Sequence, residues 1–123
     1  MLGVTATLAA FAEDTVLELF EPLATALSTG DIEGFLKPFD RQMPGLGRLR
    51  ENVLALMARF DITSSIELLK SDSGTVELDW YMELRGKEGA GVAERRRQSV
   101  TAKVERRRIL SISPLEFFAI TAN

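Results

Sequence analysis

The chain has 123 residues, 46% of them hydrophobic and 27% charged, enough for one domain (1–123) with a core of its own. It contains no cysteine and no histidine, which excludes disulfides, thiolate nucleophiles and Cys-based metal sites and removes the commonest general base. The formal net charge of −3 argues against a dedicated nucleic-acid binder, and any chemistry falls to carboxylates, Lys, Arg, Tyr, Ser or Thr.

The uncharged stretch Met1 to Ala12 has two readings. Ala10-Phe11-Ala12 has the small-x-small form of a signal-peptidase site, which would make residues 1–12 the remnant of an export signal and the protein periplasmic or secreted. The other reading is the first turns of a core-packing helix in a cytoplasmic protein. No apolar run is long enough for a membrane span.

From Glu13 to Thr29 the spacing is helical, with Val16, Leu17, Phe20, Leu23, Ala24 and Leu27 on one stripe. Pro22 lacks the N–H that would bond to Glu18, so a kink or break is expected near Glu21. Gly30 ends this helix and Asp31 caps a short second one, Ile32 to Pro38, which buries Ile32, Phe35, Leu36 and Phe39. After a loop from Asp40 to Gly47, a third helix runs from about Leu46 to Arg59 on a stripe of Leu49, Val53, Leu56, Met57 and Phe60.

The period then changes from 3.6 to 2. Ile62 to Ser71 reads as a strand, and Asp72-Ser73-Gly74 as a tight hairpin turn. The next strand, Thr75 to Arg85, organises the chain. Val76, Leu78, Trp80, Met82 and Leu84 fall on its apolar face, and Glu77, Asp79, Tyr81, Glu83 and Arg85 on its charged face. A looser turn, Gly86 to Gly91, leads to a long strand, Val92 to Arg106. Arg106-Arg107-Arg108 turns into a short last strand, Ile109 to Ser113, and Leu115, Phe117 and Phe118 form a terminal apolar plug. Helices first and then an antiparallel meander define an α+β fold, with three N-terminal helices packed on about four curved strands.

This order of elements resembles the nuclear-transport-factor-2-like superfamily, whose fold is a cystatin-like α+β cone. L-S-T-G-D-I-E-G-F-L is similar to its first-to-second helix junction, and V-T-A-K-V-E-R-R-R-I-L-S-I-S-P-L-E-F-F to its last hairpin and exit. The resemblance covers Glu13 to Phe118. Asp40 to Gly47 is shorter than the hairpin many members carry there. Members include ketosteroid isomerases, scytalone dehydratases and polyketide cyclases, so the resemblance implies a fold and leaves the activity open.

The isomerases need a carboxylate base and a Tyr-plus-acid oxyanion hole inside the cone. Here the single Tyr, Tyr81, lies on the face opposite Trp80, and the dehydratase set needs histidine. No catalytic residue, cofactor or metal ion is therefore assigned. Parity places Arg96 and Gln98 inward, where with Trp80 and Asp40 they form the mouth of a pocket for a small hydrophobic or acidic ligand. The competing reading is an Arg96 that pairs with Asp40 or Glu94 and closes the mouth. A β-bulge in this strand would swap its faces.

On the charged face, Arg95, Arg97 and Lys103 share a parity and face Glu77, Asp79 and Glu83 as a cross-strand ladder. No aromatic residue lies between Val92 and Ile112 to stack on bases, which argues against nucleic acid. Folds of this type often pair through this face. Glu77, Asp79, Tyr81, Arg95 and Arg97 are the expected surface of a homodimer. The sequence points to a non-enzymatic ligand-binding or interaction protein. Its alternative is a pocket enzyme of isomerase, dehydratase or cyclase type that uses a carboxylate, such as Asp40, on a hydrophobic substrate.

Overall fold

A computed structural model describes the backbone from Leu2 to Ile120 and the side chains from Val16 to Ile120. Its elements are α1 (Leu2–Thr29), α2 (Ile32–Leu36), α3 (Leu46–Arg59), β1 (Phe60–Asp72), β2 (Thr75–Gly86), β3 (Gly91–Glu105) and β4 (Arg108–Ser113). A one-turn 3-10 helix, Leu115–Phe118, follows β4. The side chains of Ala10-Phe11-Ala12, which the two readings of the first segment turn on, lie outside those described.

α1 continues through Pro22 without the expected break. The proline removes one backbone bond, but Phe20, Leu23, Ala26 and Leu27 on both sides of it are buried, and that common packing keeps the turns together. Gly30 ends the helix with φ +71°. Asp31 then caps α2, its carboxylate accepting the Gly34 N–H at 3.0 Å. A Cβ on Gly34 would sit 2.5 Å from that carboxylate, so the glycine lets the cap close. α2 stops at Leu36, before Pro38, which has no N–H to extend the ladder.

The four strands form one antiparallel sheet in the order β1-β2-β3-β4. Val76, Leu78, Trp80, Met82 and Leu84 of β2 are all buried, so the apolar parity faces the helices. Three bulges shift the register. Leu69 is the extra residue in β1, Ala93 in β3 and Leu110 in β4. The bulge at Leu110 explains how Ile109 and Ile112, of opposite parity, are both buried. The bulge at Ala93 lies near the start of β3, so Glu94, Arg96 and Gln98 keep the parity of Val100 and Ala102.

The core joins the helix stripes to this inner face. Phe35, Phe39, Trp80 and Phe118 are fully buried or nearly so. Phe118 meets Trp80 edge-on with centroids 5.1 Å apart, and it meets Phe35 at 6.0 Å and Phe117 at 5.2 Å. The C-terminal plug thus fills the space between sheet and helices.

Candidate functional site

Trp80 is the floor of the expected pocket, and it is packed rather than open. Its ring is held by Phe117 and Phe118, and its Nε1–H donates to Ser64 Oγ at 2.8 Å. Arg96 lies opposite Met82 in the register and points inward, with a side chain only 10% exposed. It donates from Nε to Glu94 Oε2 at 2.7 Å and from a terminal nitrogen to the Phe117 carbonyl oxygen at 2.7 Å. The guanidinium therefore ties β3 to the C-terminal plug. The partner of Arg96 is thus Glu94 and not Asp40.

Gln98 lies opposite Trp80 in the register but is exposed. Asp40 is elsewhere. Its N–H donates to the Ile109 carbonyl, and its carboxylate accepts the Gln42 N–H at 2.8 Å. Ile109 pairs with Val104, which is roughly 26 Å along β3 from Arg96 at the usual rise per residue. Trp80, Arg96 and Gln98 are thus brought together, and Asp40 is not. Side-chain parity carries no information on where the loop after α2 crosses the sheet. That crossing is set by the Phe39–Ile109 bridge.

The outer face carries the charges. Asp79 and Arg97 form a two-point pair, with a terminal nitrogen 2.7 Å and Nε 3.1 Å from Asp79 Oδ2. Glu83 accepts from Arg85 Nε at 3.0 Å, from Arg95 Nε at 3.2 Å and from the Tyr81 hydroxyl at 3.3 Å. The Arg97 hydrogen bond holds the Asp79 carboxyl below its ordinary value, and the Arg85 bond does the same for Glu83. Asp79 in turn raises Arg97. Two rungs of the expected ladder are present. Glu77 faces Lys70 and Thr101, and Lys103 faces Thr75; neither enters an ion pair among the described residues. Tyr81 lies between the rungs, opposite Ser65 and Arg97, and is half-buried. It lines a shallow depression of about 290 Å³ with Glu67, Asp79 and Arg97.

Two functional contacts escaped the sequence reading. Ser64 stands in the apolar parity of β1, and a lone hydroxyl there was the available sign of a buried polar partner. The Phe117 carbonyl carries no such sign, because a backbone acceptor is invisible in side-chain patterning. Among the described residues no group of three or more His, Cys, Asp or Glu side chains could hold a metal ion. None of the described helices is long and apolar enough to cross a membrane.

No protein-family model matches the sequence, and no curated protein matches it significantly. Solved structures do match. A cystatin-like protein of unknown function from Nostoc punctiforme is 14% identical with a TM-score of 0.62, over 84% of this chain and 89% of that one. A ketosteroid isomerase from Mycobacterium sp. is 17% identical with a TM-score of 0.64, over 80% of this chain and 89% of that one. A nuclear-transport-factor-2-like protein of unknown function from Exiguobacterium is 13% identical with a TM-score of 0.59, over 80% of this chain and 93% of that one. The chain has the cystatin-like α+β fold of nuclear-transport-factor-2-like proteins.

Proposed function

We propose that this protein is a non-catalytic interaction module that pairs with a second copy of itself through the outer face of its sheet. The observation that carries the reading is the contrast between the two faces. The inner face is filled by Trp80, Phe117 and Phe118, and its inward cation is satisfied by Glu94 and a backbone carbonyl. The outer face presents a half-buried Tyr81 framed by charges that are already paired within the chain. A surface whose charges are pre-paired loses less on desolvation than one of free charges, and a central Tyr is a favoured anchor. Such a patch suits a two-fold contact of like with like.

The likeness to a ketosteroid isomerase supports an enzyme reading, with a carboxylate acting on a hydrophobic substrate inside the cone. Against it, Glu94 is engaged by Arg96, Asp40 lies far along the sheet from Arg96, and Tyr81 points away from the interior. Sedimentation of the wild type and of Tyr81→Ala at micromolar concentration tests the pairing. Titration with an apolar fluorescent probe, read through Trp80 emission, tests the interior. A filled cone leaves Trp80 emission unchanged, and saturable quenching would favour the pocket.

A further inference from the structure

The turn between β3 and β4 is built against its own backbone preference. Arg106 and Arg107 are the two loop residues of a hairpin closed by the Glu105–Arg108 pair, and both have positive φ, 52° and 64°. Two-residue hairpins of this geometry favour Asn-Gly or Asp-Gly, because a bulky side chain is strained in the left-handed region. At the same end of the sheet, the β1–β2 hairpin uses Ser73-Gly74 for the same task. Strain of this kind concentrates where side chains are needed for function.

The strained turn aims its cations at a trough. A solvent-open trough of about 530 Å³, rimmed by exposed cations, lies between the hairpin, α1 and the end of α2. Leu19, Pro22 and Pro38 contribute its apolar lining, and Lys37, Arg106, Arg107 and Arg108 its charge. A depression of about 370 Å³ continues it along Leu19, Val104 and Arg107. The acid on this wall, Glu18, lies 4.0 Å from Arg107 in a largely exposed pair. Lys37, Arg106 and Arg108 enter no ion pair among the described residues. In a chain of net charge −3, four cations around one trough form a local excess of positive charge.

We propose that this trough binds a small organic phosphate with an apolar body. The guanidinium forks of the hairpin match phosphate oxygens two at a time, and a phosphate monoester brings close to two negative charges to a site with a surplus of cations. Leu19, Pro22 and Pro38 give the apolar body somewhere to lie. The volume is in the range of small-molecule sites. The trough lies between the hairpin end of the sheet and the helices, and none of its lining residues belongs to the outer-face patch around Tyr81, so it stands apart from the proposed pairing.

The test is calorimetric titration with phenyl phosphate and with inorganic phosphate, on the wild type and on the double variant Arg106→Asn, Arg107→Gly. Asn-Gly is the preferred dipeptide for this turn, so the variant should fold and melt at a higher temperature than the wild type. The expected result is saturable binding of phenyl phosphate, tighter than inorganic phosphate, and at least about tenfold weaker in the variant, the weight of one charge-assisted contact. Lys37→Gln should weaken binding in the same direction. Equal affinity in wild type and variant would overturn the site, as would equal affinity for the two phosphates. Co-sedimentation with phosphatidic acid vesicles in the absence of any soluble binding would also overturn it, because it would place the cations on a membrane surface instead.

Discussion

Trp80 donates its indole N–H to the Ser64 hydroxyl at 2.8 Å, and Ser64 donates in turn to the Tyr81 carbonyl oxygen at 3.2 Å. The largest side chain of the core is therefore fixed by a serine on the neighbouring strand. A buried indole N–H needs such a partner, and without one its desolvation goes uncompensated. The same contact orients the ring against Phe117 and Phe118, so packing and hydrogen bonding reinforce each other at one residue.

Ser64→Ala should cost about 1–3 kcal/mol, since it leaves the Trp80 N–H unpaired in the core. Trp80→Ala should cost about 3–5 kcal/mol, the usual range for emptying a large aromatic site. Trp80→Phe should largely suppress the further effect of Ser64→Ala, because the donor has gone. Urea denaturation of the wild type, Ser64→Ala, Trp80→Phe and their double variant measures the cycle, with Trp80→Ala measured beside them. A loss under about 1 kcal/mol for Trp80→Ala would contradict the packing described.

Arg96 ties β3 to the C-terminal plug, and its removal should be felt there. Arg96→Met keeps the apolar stem but releases Glu94 and the Phe117 carbonyl. Hydrogen bonds to charged groups contribute about 1.5–3 kcal/mol, so a loss of that size is expected. The amides of Phe117 to Ala119 should exchange faster in the variant, because the plug loses its tie to β3. Unchanged stability and unchanged exchange would show that the plug is held by ring packing alone.

Much of the fold was legible because two periods carry it. The alternation of β2 identified the buried face correctly from Val76 to Leu84, and the third helix was bounded at Leu46 and Arg59 by its stripe and the glycine before it. Pro22 does not break α1, because the missing N–H, a local effect, is outweighed by burial on both sides. The site was less legible. Parity assigns residues to faces, and it found Arg96 and Trp80. It carries no information on which loop crosses which strand, so it could not place Asp40. Nor does parity reveal backbone conformation, so in the sequence the strained Arg106-Arg107 turn looks like an ordinary charged connection.

The Asp79–Arg97 pair makes acid sensitivity testable. The Asp79 carboxyl is depressed in the folded chain, chiefly by its hydrogen bond from Arg97. A depressed carboxyl contributes stability that is fully present above its unfolded value of about 4 and is lost as the pH falls through the folded one. Asp79→Asn should therefore melt below the wild type at neutral pH, with the gap closing below about pH 4. Melting curves from pH 2.5 to 7 check this. A gap that stays constant through the acid range would mean that the pair contributes nothing through its charge.

The proposed pairing rests on Tyr81. Cross-subunit attraction of acid to base is a weak basis for a dimer here, since Asp79 and Glu83 already hold Arg97 and Arg95 within the chain. Exposed ion pairs contribute little and are screened by salt. What remains is an amphipathic ring whose nearest charges, Asp79 with Arg97 and Glu83 with Arg95, are already paired, and which lies opposite the short side chain of Ser65. The wild type should sediment as a dimer at micromolar concentration, with only modest weakening at high salt. Tyr81→Ala should weaken association by about 2 kcal/mol, roughly 30-fold in Kd, the mark of a central anchor. Arg97→Ala should act less strongly, mainly by freeing Asp79 to repel its counterpart. A wild type that remains monomeric at micromolar concentration in low salt would end the pairing proposal, and a Tyr81→Ala variant as dimeric as the wild type would move the interface off this face.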